Sequence, residues 1–297
     1  MVTRRNMLTV ALVFGLLGAG MVWAGEKPMP LWDGKESVAD YAKRAGVEST
    51  LTLDLGDGVK LELMLIPAGK FMMGNPADAK YRQRNEDPQH EVTLSRAFYA
   101  GKYLVTQEQY KKVMGPNPAN FRKSPQNPVE VVSWDDAQEF CKKLSATSGK
   151  AVRLPTEAEW EYSCRAGTTT AYYFGDDDKD LAGYAWFGDK PTVAGCQPAN
   201  SNTVSHPVGE KKPNAWGLYD LYGNVWEWCQ DWYGAYQAGA VTDPQGPAQG
   251  TERVVRGGAW YDNSMNCRSA FRHHYIPTRR GGNLGFRVVV GAAATAP

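Results

Sequence analysis

The sequence predicts one compact α+β domain with little regular secondary structure, and three observations predict it. Two runs of alternating apolar and polar residues meet at a Gly-Asp-Gly turn within 49–74, as in a strand hairpin. Thr106, Ser133 and Thr156 each stand immediately ahead of a helix-patterned run, where a hydroxyl caps the first free amides. Finally, "NAWGLYDLYGNVWEW" (214–228) is too glycine-rich for a helix and too aromatic for a solvent loop. Tryptophan and tyrosine can supply buried area where helices and strands are sparse. At 297 residues and 42% hydrophobic, the chain can bury a core of domain size, and no repeat or linker divides it.

Residues 1–24 read as a signal peptide: Arg4 and Arg5, an apolar run from Met7 to Trp23, then Val22-Trp23-Ala24 ahead of the cleavage point. The alternative is an uncleaved anchor, for which the run is slightly short of the ~20 residues of a comfortable span. Export by the Sec or the twin-arginine route would make the protein periplasmic or secreted, with no stable membrane insertion after processing. Loss of the leader leaves 31 basic against 32 acidic side chains, the leader carrying two of the 33 basic residues. That balance lacks the basic field a nucleic-acid partner requires.

Residues 25–48 form an N-terminal extension with a short helix over 36–46, and the domain proper runs from 49 to 291. Inside it the hairpin is followed by a polar surface loop (75–90) and strand-like alternation over 91–105. Three helices follow; Thr156 with Glu159 makes a capping box. In the second helix Ala137, Phe140, Cys141 and Leu144 recur on one face, which makes Cys141 a core residue. The stretch 171–213 is loop, with an acidic run at 176–180 read as a solvated turn, and 252–260 and 284–290 are strand-like. Residues 292–297 read as a disordered tail.

The five cysteines are Cys141, Cys164, Cys196, Cys229 and Cys267. Their number is odd and none lies in a CxxC pair, so a zinc site of the usual spacing has no support. His273 and His274 are neighbours, and on an extended chain they would point to opposite faces.

Four stretches, "RLPTEAEWEYSCRAG" (153–167), "HPVGEKKPNAWGLYDLYGNVWEWCQDWY" (206–233), "RVVRGGAW" (253–260) and "NLGFRVV" (283–289), occur in order. With "LIPAGKFMMG" and "YLVTQEQY" they resemble the formylglycine-generating enzyme, or sulfatase-modifying factor, family over about residues 60–290. The resemblance implies a C-type-lectin-like fold, with calcium as the expected cofactor. Carried over by position, its ligands would be the side chains of Asp220 and Glu227 and the carbonyls of Gly223 and Val225, a set of hard oxygens.

The family's enzymes oxidise a cysteine of a sulfatase peptide with O₂ and Cu(I), held by a CxxxxC pair just after Gly-Gly-Ser. Here the text is "GGAWYDNSMNC" (257–267). Counted from Gly257-Gly258, the first copper position is Asp262 and the second Cys267, and Ala259 replaces the serine. A carboxylate and one thiolate suit soft Cu(I) poorly, so copper is not expected. Cys267, Asp262 and Trp226 are the remaining candidates for catalysis. Cys229 and Cys267 are expected to form a disulfide, with two buried free thiols as the alternative. A cleft lined by Trp226, Trp260, Arg268 and Arg272 would take a peptide, glycan or small-molecule ligand. The function expected is that of an exported binding or accessory protein without formylglycine-generating activity. The alternatives are an oxidoreductase acting on another substrate and a divergent sulfatase activator.

Overall fold

The computed structural model describes residues 29–188 and 199–293; the leader expected at 1–24 and Cys196 lie outside them. The elements in chain order are α1 (Val38–Ala45), β1 (Thr50–Gly56), β2 (Val59–Ile66), β3 (Gly69–Met73), β4 (His90–Leu94), β5 (Phe98–Gly101), α2 (Gln107–Met114), α3 (Trp134–Ser148), β6 (Val152–Arg153), α4 (Glu157–Arg165), β7 (Trp226–Trp232), β8 (Val241–Thr242), β9 (Arg253–Arg256), β10 (Arg272–Tyr275), β11 (Leu284–Gly285) and β12 (Val289–Gly291).

The expected hairpin is β1–β2, closing at Asp57-Gly58 with Gly56 opposite Val59. It belongs to a five-stranded sheet ordered β1-β2-β5-β12-β6. Residues 69–73, continuous with the hairpin in the sequence pattern, leave it instead to build a three-stranded sheet, β3-β4-β8. The stretch 284–290 splits in the same way: β11 runs parallel to β7 in a four-stranded sheet ordered β10-β9-β7-β11, whereas β12 closes the five-stranded one.

All three helices that follow the hairpin start where the hydroxyls stand, and each carries a reciprocal capping box: Thr106 with Gln109, Ser133 with Asp136, and Thr156 with Glu159. Two orphan amides are satisfied at each start. Ala137, Phe140, Cys141 and Leu144 are buried, so Cys141 is a core residue.

Indoles join the layers as well as filling them. Trp228 donates to the Val132 carbonyl at 3.0 Å and Trp134 to that of Cys229 at 2.9 Å, tying β7 to the start of α3.

Two expectations need correction. The 75–90 segment is not wholly surface loop: Glu86 within it is fully buried, because Arg268 closes on its carboxylate. Order also continues past 291, since Ala292 is buried and donates its amide to Ala97 at 3.1 Å.

Candidate functional site

The 214–228 stretch is a chain of tight bends that delivers β7. Asn214 starts it, its Oδ1 accepting the amides of Trp216 and Leu218, the local bond that lets a short polar side chain mimic a turn. Asp220, Gly223 and Asn224 then take positive φ of 55°, 71° and 60°. A Cβ on Gly223 would run into the Trp186 carbonyl, so that position requires glycine. Asn224 is fully buried and stitches the loop to its neighbours, giving its amide to Trp186 and exchanging side-chain bonds with the His206 backbone.

Asp220 and Glu227, the two carboxylates of this loop, differ. Glu227 is fully buried and both its oxygens are taken by Arg287, at 2.6 and 2.9 Å. Asp220 is buried, accepts the Gly209 amide at 2.8 Å and the Asn224 side chain at 3.4 Å, and forms no ion pair among the described residues. Burial pushes its pKa up to about 6. Of the two carboxylates expected to hold calcium, Glu227 is already neutralised by Arg287 and Asp220 alone is left without an ion pair among the described residues. No group of three or more His, Cys, Asp or Glu side chains among the described residues is placed to hold a metal.

The copper position departs further from the family's chemistry. Asp262 and Cys267 are both buried, and Ala259 beside them is fully buried. Burial, reinforced by the Asp262 charge, holds the Cys267 thiol well above its ordinary pKa, so the thiolate that binds metal is disfavoured. A buried neutral thiol and one carboxylate do not fit Cu(I).

The expected Cys229–Cys267 disulfide is not formed; both are buried free thiols. Cys229 Sγ turns along its own strand towards the Glu227 carbonyl. Cys267 Sγ packs against Gly258, close to where a side chain there would begin.

Of the four residues expected to line a cleft, Trp226, Arg268 and Arg272 are buried and Trp260 alone is partly exposed. Arg268 pairs with Glu86 at 2.7 Å and Arg272 with Glu157 at 2.6 Å. Both guanidiniums thus hold distant segments together instead of facing solvent. Trp226 packs on Phe271 and His273. The rings of His273 and His274 do not diverge as strand alternation alone would have them: their centroids lie 5.4 Å apart, with His274 stacked on Tyr233 and its Nδ1 2.8 Å from Glu252.

Around Trp260 the structure adds residues that sequence reading missed. Trp260 stands edge-on to Phe121 and Tyr261 and donates to the Gly282 carbonyl at 2.9 Å. The Phe121 amide in turn bonds Oε1 of Glu130, a fully buried carboxylate whose Oε2 has no partner. Burial raises the Glu130 pKa. Next to it Val131 has φ 62°, a strained conformation for a β-branched residue. No motif marked Glu130; only its burial with Oε2 unpartnered among the described residues does.

Curled mixed sheets and a tryptophan-bearing loop define a C-type-lectin-like domain of the formylglycine-generating-enzyme type. The sulfatase-modifying factor enzyme 1-like domain matches residues 59–292, and the chain belongs to that family. It is 31% identical over 268 residues to the chaperone protein LppX of Paenibacillus barcinonensis, covering 77% of this chain and 89% of that one. The formylglycine-generating enzyme of Streptomyces coelicolor is 38% identical over 180 residues, 58% of this chain and 55% of the enzyme. Among solved structures, Treponema denticola variable protein 1 superposes with a TM-score of 0.72 at 31% identity, over 82% of this chain and 99% of that one. PvdO from Pseudomonas aeruginosa gives 0.67 at 27% identity, over 81% and 98%.

Proposed function

We propose that this chain is an exported accessory or ligand-binding member of the sulfatase-modifying factor family that does not generate formylglycine. The observation that carries the reading is the donor pair at the copper position: Asp262 with a Cys267 thiol that is fully buried and resists ionisation. Copper chemistry on a substrate cysteine needs two soft ligands before the substrate arrives, and this corner offers one.

The similarity to a protein named as a chaperone, along 89% of that protein's length, supports an accessory role. The ligand would be a peptide, glycan or small molecule held beside the partly exposed Trp260, with Phe121 and Tyr261 as walls. Export rests on the leader in the sequence; in addition, no helix among the described residues is long and apolar enough to cross a membrane.

The test is the mass of a sulfatase-motif peptide after incubation with the Cu(I)-loaded protein and O₂. The expected result is an unmodified cysteine with the wild-type chain; Asp262→Cys plus Ala259→Ser is the attempted rescue, and formylglycine formed only by that variant would tie the loss to the missing donor. Turnover by the wild-type chain that vanishes in Cys267→Ser would make it a sulfatase activator instead.

A further inference from the structure

A cleft of about 360 Å³ opens where the start of α4, the strands β4 and β8, and the loop 234–247 come together. Its walls are largely apolar, with Met73, Val241, Pro244 and Trp232 among them. Glu157, Asp231, Arg272, His90 and Tyr236 are among its polar groups, with Gln237, Thr242 and Gln245 on the loop side. The volume lies in the range of small-ligand sites.

Among the carboxylates around this cleft, Asp231 alone has no ion-pair partner among the described residues. Arg272 gives Nε and Nη2 to the two oxygens of Glu157, at 2.7 and 2.6 Å, and the Tyr236 hydroxyl adds a bond to the same carboxylate. Arg256 is committed to Glu161 and Arg153 to Glu159. Arg253 lies over the rings of Trp134 and Trp232 and gives Nη1 to the Gln230 carbonyl; its charge reaches Asp231 without an ion pair.

Asp231 is left over. It is only 4% exposed, its Oδ2 accepts the Glu157 amide at 2.8 Å, and Oδ1 accepts nothing from another described residue. It forms no ion pair among the described residues. His90 gives its Nδ1 hydrogen to the Pro88 carbonyl at 2.9 Å, which leaves Nε2 of the neutral ring as a second acceptor. An apolar cleft with unmatched acceptors and a buried, unpaired acid is complementary to a cation on a short apolar stem.

We propose that this cleft binds a guanidinium or ammonium group, which takes the position against Asp231 that no side chain of the protein fills. The stem of the ligand lies on Met73, Val241 and Pro244. This site shares no residue with the Trp260, Phe121 and Tyr261 surface proposed above and does not depend on the function assigned to it.

Proton linkage gives the site a signature. Burial, with the charges of Glu157 and Glu159, pushes Asp231 up to about 8, so at neutral pH the carboxyl is mostly protonated and a bound cation displaces that proton. The charged and titratable groups around it are Glu157 and Glu159 of α4, Arg153 of β6, Cys229 of β7, Arg253 and Arg256 of β9, Arg272 of β10, His90 of β4 and Tyr236. Below about pH 7 affinity should fall on the order of tenfold per pH unit and level off above pH 8.

The experiment is titration calorimetry of the purified protein with n-butylguanidine, with the blocked peptide acetyl-Ala-Arg-Ala-amide, and with the neutral isostere n-butylurea, in two buffers of different ionisation enthalpy. The expected result is binding of a guanidinium probe with proton release at pH 7, no binding of the urea, and at least tenfold weaker binding in Asp231→Asn. Tighter binding of the peptide identifies an arginine side chain as the natural occupant; tighter binding of free butylguanidine identifies a small molecule. Thr242→Trp, at an exposed position on the rim, is expected to block the cleft and decides the matter if Asp231→Asn does not fold. Failure of both guanidinium probes to bind, equal binding of the urea, or undiminished affinity in Thr242→Trp would overturn the site.

Discussion

Arg287 and Glu227 meet in full burial, Nε to Oε2 at 2.6 Å and Nη2 to Oε1 at 2.9 Å. The same guanidinium also reaches the carbonyls of Gly101 and Tyr219. One ion pair thereby joins β7, the end of β5, the tryptophan-bearing loop at Tyr219 and the segment between β11 and β12. Removing one partner leaves an uncompensated buried charge. Glu227→Ala is expected to cost about 3–5 kcal/mol in urea unfolding, and Glu227→Gln less. The loss should be the same with calcium and with chelator, because Arg287 already occupies the carboxylate.

Calcium dependence, by contrast, should reside in Asp220. A ligand that binds only the native state stabilises it by about 2.7 kcal/mol at one hundred times its Kd. Melting of the wild type is expected to drop when calcium is chelated, and that difference should disappear in Asp220→Asn. A wild-type melting temperature indifferent to chelation, with no metal found by elemental analysis, would remove calcium from the account.

Two buried acids set a pH trend. Asp220 and Asp231 titrate at about 6 and about 8 in the folded chain, both raised from 3.8 mainly by burial. The folded state therefore holds their protons more tightly than the unfolded one. The resulting stability is fully present below about pH 4 and is lost as pH rises through about 6 for Asp220 and about 8 for Asp231. Each unit of difference corresponds to about 1.4 kcal/mol. Urea midpoints measured from pH 5 to 9 should show a decline that is flatter in Asp231→Asn.

Cys229 and Cys267 are sealed, and burial raises both thiols well above their ordinary pKa. A thiol reagent should label neither in the native protein and both after unfolding. Reducing agent should leave the melting temperature unchanged. A drop on reduction, with a mass loss of two hydrogens assigned to these residues in the untreated chain, would restore the disulfide.

Glu130 keeps a carboxylate buried with one oxygen unpartnered. Glutamine can retain the Phe121 bond through its carbonyl while removing the ionisable group. Glu130→Gln is therefore expected to be neutral or stabilising by about 1 kcal/mol at pH 7. Clear destabilisation in thermal melts would mean that the carboxylate has a partner when the protein works.

By itself the sequence determined the features whose causes are local. A hydroxyl three residues ahead of the amide it accepts placed the starts of α2, α3 and α4. A Gly-Asp-Gly turn placed β1 and β2, and the tryptophan and Gly-Phe-Arg motifs identified the family and its lectin-like fold. Tertiary structure decided what each charged side chain is for. Arg268 and Arg272 have nothing near them in sequence that neutralises them; their partners, Glu86 and Glu157, lie 182 and 115 residues away. Likewise Asp231 looks like any acid in "WCQDWY" until folding assigns Arg153, Arg256 and Arg272 to other carboxylates. Periodicity and capping act within a few residues and can be read along the chain, whereas Coulombic pairing in a low-dielectric core depends on distances that only the closed fold creates.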